Sequence, residues 1–221
     1  MMELHNCPTS ATPIVEQATE SDIPALVAVW WDAFSSDFIR RIFSQTPDGR
    51  RWLERAFVKN FEPTSGSRAP ETKCLIVRCS DTGLPAAIAV YRIVPAGCDP
   101  AQLSWRARWP PFDDLPDISE DVLAGFFDSM DRTQTYLLGD RAYVYLEALG
   151  TMKTHRKRGY ATALIEWGTD LADELGVECY LDASPEGRPL YEANGYVEQD
   201  VSAVVEKQAG PSMIRHKKGQ A

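Results

Sequence analysis

The stretch Lys153-Thr154-His155-Arg156-Lys157-Arg158-Gly159-Tyr160-Ala161-Thr162 displays its chemistry most openly: four of its first six positions are Lys or Arg, and none is acidic. The whole chain carries 23 basic and 32 acidic residues, a net charge of −9, so this cluster stands against the surrounding field. A basic loop that enters a helix through Gly159 and Ala161 offers free backbone N–H groups and the positive end of the helix dipole, a geometry that binds phosphate. Gly159 permits close backbone approach, and Ala161 keeps the first turn thin. Neither a GxxxxGKS/T loop nor a GxGxxG fingerprint occurs, which excludes the mononucleotide and dinucleotide folds built on them. A hydrolase is equally unsupported, because GxSxG is absent. His155 reads as a loop residue or cap.

Cys7, Cys74, Cys79, Cys98 and Cys179 match no CxxC pair or zinc spacing, so they read as reduced bystanders and no metal is expected. With 44% hydrophobic residues the chain can bury a closed core, and its 25% charged content is that of an ordinary globular protein, not a disordered one. No apolar run reaches even 15 residues, and Met1 to Ser10 lacks the basic start and apolar stretch of a signal peptide. These features lead to the expectation of a cytoplasmic protein without a membrane partner. The acidic balance argues against nucleic acid and mildly favours cationic small molecules.

The elements that must position the loop follow from periodicity. Pro13 to Ala18 reads as a strand, and Thr19-Glu20-Ser21-Asp22 as a capping box opening a helix with Ile23, Leu26, Val27 and Trp30 inward. A second helix is expected over Asp48 to Phe61, with Trp52, Ala56 and Phe57 on one face. Strands Cys74 to Cys79 and Ala86 to Val94 flank the turn Ser80-Asp81-Thr82-Gly83 and form a hairpin. Pro95 to Pro116 shows neither period and reads as an irregular excursion, either a lid or a loop anchored by the rings of Trp105-Arg106-Ala107-Arg108-Trp109-Pro110-Pro111. Asp113, Asp114, Asp117, Glu120 and Asp121 read as a solvated face and helix start that would also attract a cationic acceptor. A helix from Ser119 to about Tyr136 uses Val122, Phe126, Phe127 and Met130. The last third reads as strand Ala142–Leu149, helix Tyr160–Leu175, strand Val177–Asp182, a short helix Pro185–Asn194 closed by Gly195, and a strand pair Val201–Glu206 and Ser212–His216 joined across Gln208 to Pro211.

Arg156-Lys157-Arg158-Gly159-Tyr160-Ala161 resembles the acyl-CoA signature (Gln or Arg, x, x, Gly, x, Gly or Ala) of the GNAT N-acetyltransferase superfamily. Pro189-Leu190-Tyr191-Glu192-Ala193-Asn194-Gly195-Tyr196 resembles its second signature, LYExxGF, and the similarity covers about Ala142 to Val197 with the same order of strands and helices. The resemblance, to a fungal- or bacterial-style member with no assigned acceptor, implies an α/β (α+β) fold. Its mixed, mostly antiparallel sheet would be splayed between Ala142–Leu149 and Val177–Asp182, with helices on both faces. One domain over 13–217 is expected, with an insertion at about 95–141, a flexible 1–12 segment and a 218–221 tail.

The same resemblance implies acetyl-CoA as co-substrate. Leu149, Gly150 and Thr151 would meet the pantetheine arm as an added strand edge. Arg156, Lys157, Arg158, Gly159, Tyr160 and Ala161 would hold the pyrophosphate, with Thr162 assisting at the helix start. Ser184 stands where many relatives have Asn. Tyr191 would protonate the departing thiolate, and Glu147 is the candidate base, because alternation puts it on the face of Tyr143, Tyr145 and Leu149. A backbone N–H near Leu149 would polarise the thioester carbonyl. Cys179 reads as a small core residue. The implied reaction is direct attack of a small primary amine on acetyl-CoA in a ternary complex, by a monomer or homodimer. The alternatives are a non-catalytic acyl-CoA-binding module and an acetyltransferase of protein lysines or N-termini.

Overall fold

A computed structural model describes residues 12–64, 66, 68–205 and 210–218. The expected N-terminal segment, Cys7, the Gln208-Ala209 turn and nearly all of the expected tail lie outside these residues. The Thr19 capping box forms as read, with the Thr19 N–H donating to Asp22 Oδ2 at 2.9 Å. It follows β1 (Val15–Gln17) and leads through a 3-10 turn into α1 (Ile23–Ala33), which buries Leu26, Val27, Val29 and Trp30. Next come α2 (Asp37–Ile42), absent from the sequence reading, and α3 (Pro47–Lys59), each capped by a hydroxyl, Ser36 or Thr46. The expected hairpin is β2 (Glu71–Arg78) with β3 (Pro85–Val94).

Segment 95–116 is not wholly irregular, since it holds two single-turn helices, α4 (Pro100–Leu103) and α5 (Trp105–Arg108). The 19-residue α6 (Glu120–Leu138) turns Leu123 and Phe127 inward, while Val122, expected inside, is exposed. The remainder is β4 (Tyr143–Thr151), α7 (Tyr160–Leu175), β5 (Glu178–Asp182), α8 (Arg188–Ala193), β6 (Val197–Glu198) and β7 (Ser212–Arg215). The expected strand over Val201–Glu206 is corrected: 201–205 form a turn, Glu206 is outside the described residues, and β6 pairs with β7 instead.

These strands make one seven-stranded sheet in the order β1-β2-β3-β4-β5-β7-β6, antiparallel except at β4–β5. Alternation divides the side chains between two faces. Leu75, Val77, Ala89, Tyr91, Val144 and Leu146 pack with Leu164 and Ile165 of α7. Cys74, Ile76, Ile88 and Val90 pack under α1, α3 and the aromatic residues of 105–127.

Helix α7 crosses β3 at a small residue. A Cβ built on Gly168 would lie 2.3–2.4 Å from the buried Tyr91 ring, whose hydroxyl donates to the Leu164 carbonyl at 3.0 Å. Neither the ring nor the helix can withdraw, so Gly168→Ala should destabilise the protein by about 2–3 kcal/mol, the upper part of the overpacking range. A lower urea midpoint at unchanged slope would show it; an unchanged midpoint would mean that the crossing yields.

Candidate active site

The central geometric feature is a fork. Strand β4 stays paired with β3 as far as Thr151, but its parallel pairing with β5 runs only from Tyr143–Glu178 to Tyr145–Tyr180. Beyond Tyr145 the β5-facing edge of β4 has no ladder partner among the described residues, while β5 continues to Asp182 beside β7. A strand edge opened this way offers N–H and C=O groups to an extended ligand.

The basic loop lies where this edge ends. Its backbone turns through a left-handed Lys157 (φ 61°), and Gly159 (φ 79°) is left-handed as well, with Arg158 of negative φ between them. Such alternation gathers successive N–H groups into an anion-binding concavity. Gly159 supplies no side-chain cap to α7, and the first backward helical bond is Ala163 N–H to the Gly159 carbonyl at 3.0 Å. The N–H groups of Tyr160, Ala161 and Thr162 therefore have no acceptor within the helix. Arg156 latches the loop through weak 3.4 Å bonds to the Thr151 and Ala33 carbonyls, and Lys153 N–H donates to Asp32 Oδ2 at 2.6 Å. The side chains of Lys157 and Arg158 stay exposed. His155 bonds Thr154 across 3.0 Å, as a loop residue. This cradle suits a phosphate group.

The other expected donor contacts divide by role. Gly150 is buried, and a Cβ there would meet Ala33 and Phe34 at 3.0–3.1 Å, so this glycine admits the end of α1 against β4. Thr151 keeps a buried Oγ1 without a hydrogen-bond partner at the end of the open edge. The Tyr160 side chain is buried in the α7-side core and offers the site its backbone only. Ser184 spends its hydroxyl on Gly187 N–H at 3.1 Å, capping the turn into α8. Tyr191 packs edge-on to Tyr196 at 5.9 Å in the same core, and burial pushes its phenol up to about 12.

The structure corrects the setting of Glu147. Register with β3 passes from Val90–Ala148 to Tyr91–Leu146, which leaves Glu147 as the extra residue of a β-bulge. Glu147 and Ala148 consequently line the same pocket, whereas Leu149 packs into the opposite, α7-side core. Nor is the carboxylate free. Its Oε2 accepts from Arg92 Nε at 2.6 Å and its Oε1 from Arg108, while Arg108 also binds Asp131 at 2.9 Å and the Leu103 carbonyl at 2.9 Å. Arg92 completes its bonds with Thr72 and Asn60. Burial alone would raise the Glu147 pKa, but the two guanidinium groups outweigh it and hold it below the usual carboxylate range. A carboxylate held in this way is a weaker proton acceptor than a free one.

Sequence reasoning missed the residues that surround Glu147. Arg108 belongs to the Trp105–Pro111 run, which the structure shows to be an anchor: Trp105 Nε1 donates to Asp128 at 2.6 Å, Trp109 stacks on Trp52 at 5.0 Å, and Trp52 donates to the Pro110 carbonyl at 2.9 Å. Of the acidic run, Asp114 pairs with Arg55 and Glu120 with Arg106, on an exposed surface. The pocket beside Glu147, about 30 Å³ and bounded by Trp30, Phe57, Arg92, Arg108 and Trp109, has room for one or two waters. Asp182 was also missed; only its place at the end of an alternating strand could have pointed to it. Among the described residues no His, Cys, Asp or Glu cluster could hold a metal, and no helix is long and apolar enough to cross a membrane. Cys74, Cys79, Cys98 and Cys179 are buried and unpaired.

Residues 31–196 match the Acetyltransferase (GNAT) family. Among solved structures, the chain is similar to a histone acetyltransferase HPA2 and related acetyltransferase from Corynebacterium glutamicum, at 20% identity over 94% of this chain and 97% of that one, TM-score 0.58. It is similar to arylalkylamine N-acetyltransferase 2 from Aedes aegypti at 13% identity, over 93% and 99% of the two chains, TM-score 0.62. The PaiA N-acetyltransferase from Thermoplasma acidophilum, in complex with coenzyme A, aligns at 11% identity over 93% and 99%, TM-score 0.52. At these identities the likeness establishes the fold. No curated protein matches the sequence.

Removing the charge of Glu147 leaves Arg92 buried without a carboxylate partner and Arg108 with Asp131 alone. Glu147→Gln should cost about 3–5 kcal/mol at neutral pH, as for other broken buried pairs. Because the folded-state pKa lies below the ordinary value of about 4.3, this stability is present above that value and is lost as pH falls through the lower folded one. Urea midpoints of wild type and variant should therefore converge in acid; equal midpoints at pH 7 would refute a stabilising role.

Proposed function

The chain belongs to the GNAT acetyltransferase family, and from that premise we propose that it transfers the acetyl group of acetyl-CoA to a primary amine of a small molecule. One observation carries this reading: the free edge of β4 beyond Tyr145 runs to a basic turn and an uncapped helix start, an extended-arm site joined to a pyrophosphate site. The family uses acetyl-CoA, and the PaiA enzyme was solved with coenzyme A. In the reading offered here, Leu149 and Thr151 bind the pantetheine arm through their backbone, with Gly150 keeping that strand against α1. The N–H groups of 156–162 take the phosphates, assisted by Arg156, Lys157 and Arg158, and Ser184 borders the arm from the end of β5.

The acetyl carbonyl would lie against the bulge, where a backbone N–H at 147–149 polarises it. The neutral amine attacks the carbonyl carbon, the C–S bond breaks, the departing thiolate receives a proton from Tyr191, and the proton shed by the nitrogen restores the Tyr191 phenol. A phenol at about 12 is a weaker acid than one near 10, but a thiolate released into the same poorly hydrated space also binds its proton more tightly, so burial shifts both partners the same way. A compact acceptor is favoured over a polypeptide because Trp105, Arg108 and Trp109 fill the sheet face beside the bulge.

Calorimetry should detect acetyl-CoA binding that weakens with salt, and Arg156→Ala with Arg158→Ala should weaken it about tenfold or more, as expected for lost charge-assisted contacts worth about 1.5 kcal/mol or more. Tyr191→Phe should lower thiol release with an amine acceptor by about 100-fold, the lower end for a positioned acid. Unchanged release would remove Tyr191 from the mechanism. Binding without release for every polyamine, arylalkylamine, amino sugar and lysine peptide would instead identify an acyl-CoA-binding module.

A further inference from the structure

Given acetyl transfer to an amine as read above, we propose that Asp182, at the tip of the β4–β5 fork, is the group that takes the proton from the acceptor ammonium. Asp182 is the last residue of β5, two positions beyond the final pair with β4. Alternation puts it on the face of Tyr180, which packs with Tyr143 and Tyr145, away from α7. Its Oδ1 accepts from Tyr180 Oη at 2.9 Å and from Ser212 Oγ at 2.7 Å. Its Oδ2 is shut off from solvent and has no hydrogen-bond partner among the described residues. A buried oxygen in that condition is costly unless a donor arrives. An ammonium entering the fork from the acceptor side is such a donor. The contrast with Glu147 is direct, since both oxygens of Glu147 are already occupied by guanidinium groups.

The surroundings suit the task. Burial raises the Asp182 pKa most, the Ser212 and Tyr180 hydroxyls and the Arg108 guanidinium lower it, and Asp131 raises it, leaving the carboxyl at about 6. Tyr145 of β4 also faces it, and its own phenol is raised by burial. A carboxylate poised there is charged at neutral pH yet basic enough to compete for a proton. The ammonium gives its first proton to Asp182, which must shed it before the next turnover. The neutral nitrogen forms the new bond to the carbonyl carbon, the C–S bond breaks, Tyr191 protonates the sulfur, and the second nitrogen proton restores the Tyr191 phenol.

Asp182→Asn tests this with and without substrate. A folded-state pKa above the unfolded value means that the folded protein binds the proton more tightly, so wild-type stability falls as pH rises from about 4 through about 6. The amide imitates the protonated state. Asp182→Asn should therefore melt at a higher temperature than wild type at pH 7.5, the difference closing toward pH 4. With 2-phenylethylamine and spermidine as probe acceptors, kcat/KM for thiol release should fall about 100-fold or more and lose its acid limb near pH 6, while acetyl-CoA binding is unchanged. Ser212→Ala removes a bond to the charged form and should move that limb to higher pH. A lower melting temperature for Asp182→Asn at pH 7.5 would overturn the proposal, leaving Asp182 as a staple between β5 and β7. So would an acid limb that survives in the variant. Wild type that binds acetyl-CoA but acetylates no amine would overturn the acetyl-transfer reading and this role with it, and the substrate-free melting comparison distinguishes that failure from one of Asp182 alone.

Discussion

The buried contact of Glu147 with Arg92 and Arg108 fixes more of this molecule than any other interaction. It joins the bulge in β4 to β3 and to segment 105–109, three parts of the chain far apart in sequence. Ions taken from water are stabilised only if every donor and acceptor finds a partner. Here Arg92 reaches Thr72 and Asn60 as well, and Arg108 reaches Asp131 and the Leu103 carbonyl. The two cations are balanced by two carboxylates, so the cluster adds no net charge to the protein interior. Holding the bulge this way sets where β4 changes the facing of its side chains, and hence which backbone groups reach the fork.

The same cluster separates two acids that stand on one side of the sheet. Guanidinium contact holds the Glu147 pKa below the usual carboxylate range, whereas burial with hydroxyl partners raises that of Asp182 to about 6. Environments that push two carboxyl groups apart in this manner assign them different duties. The left-handed backbone at Lys157 represents a different kind of investment, about 1–2 kcal/mol for a residue with a Cβ, and it occurs where the N–H groups of the basic turn converge.

Much of this arrangement could be read from the residues themselves. The helix over Tyr160–Leu175 has a strong 3.6-residue period and glycine at both ends, so its limits agree with the sequence reading. The cationic turn is visible because its charges are contiguous. Helix α2 and the single turns α4 and α5 are too short for periodicity to register. Val201–Val205 has the apolar character of a strand, but pairing depends on a free edge, and β6 lies beside β7. The bulge is likewise a property of two strands together: nothing in Leu146-Glu147-Ala148 alone announces it, and missing it put Leu149 on the wrong face. Asp182 owes part of its setting to Ser212, and Arg108 to Asp131 and Glu147, groups distant in the chain.

The outermost strands of the sheet are its shortest, three residues in β1 and two in β6, and both carry glutamate. Between them run β2 and β3, whose long apolar stretches are the sort that stack into fibrils when an edge is left open. Brief, charged borders give another polypeptide little to zip onto. The sheet thus combines an unpaired ladder edge at its middle with rims that resist templated aggregation.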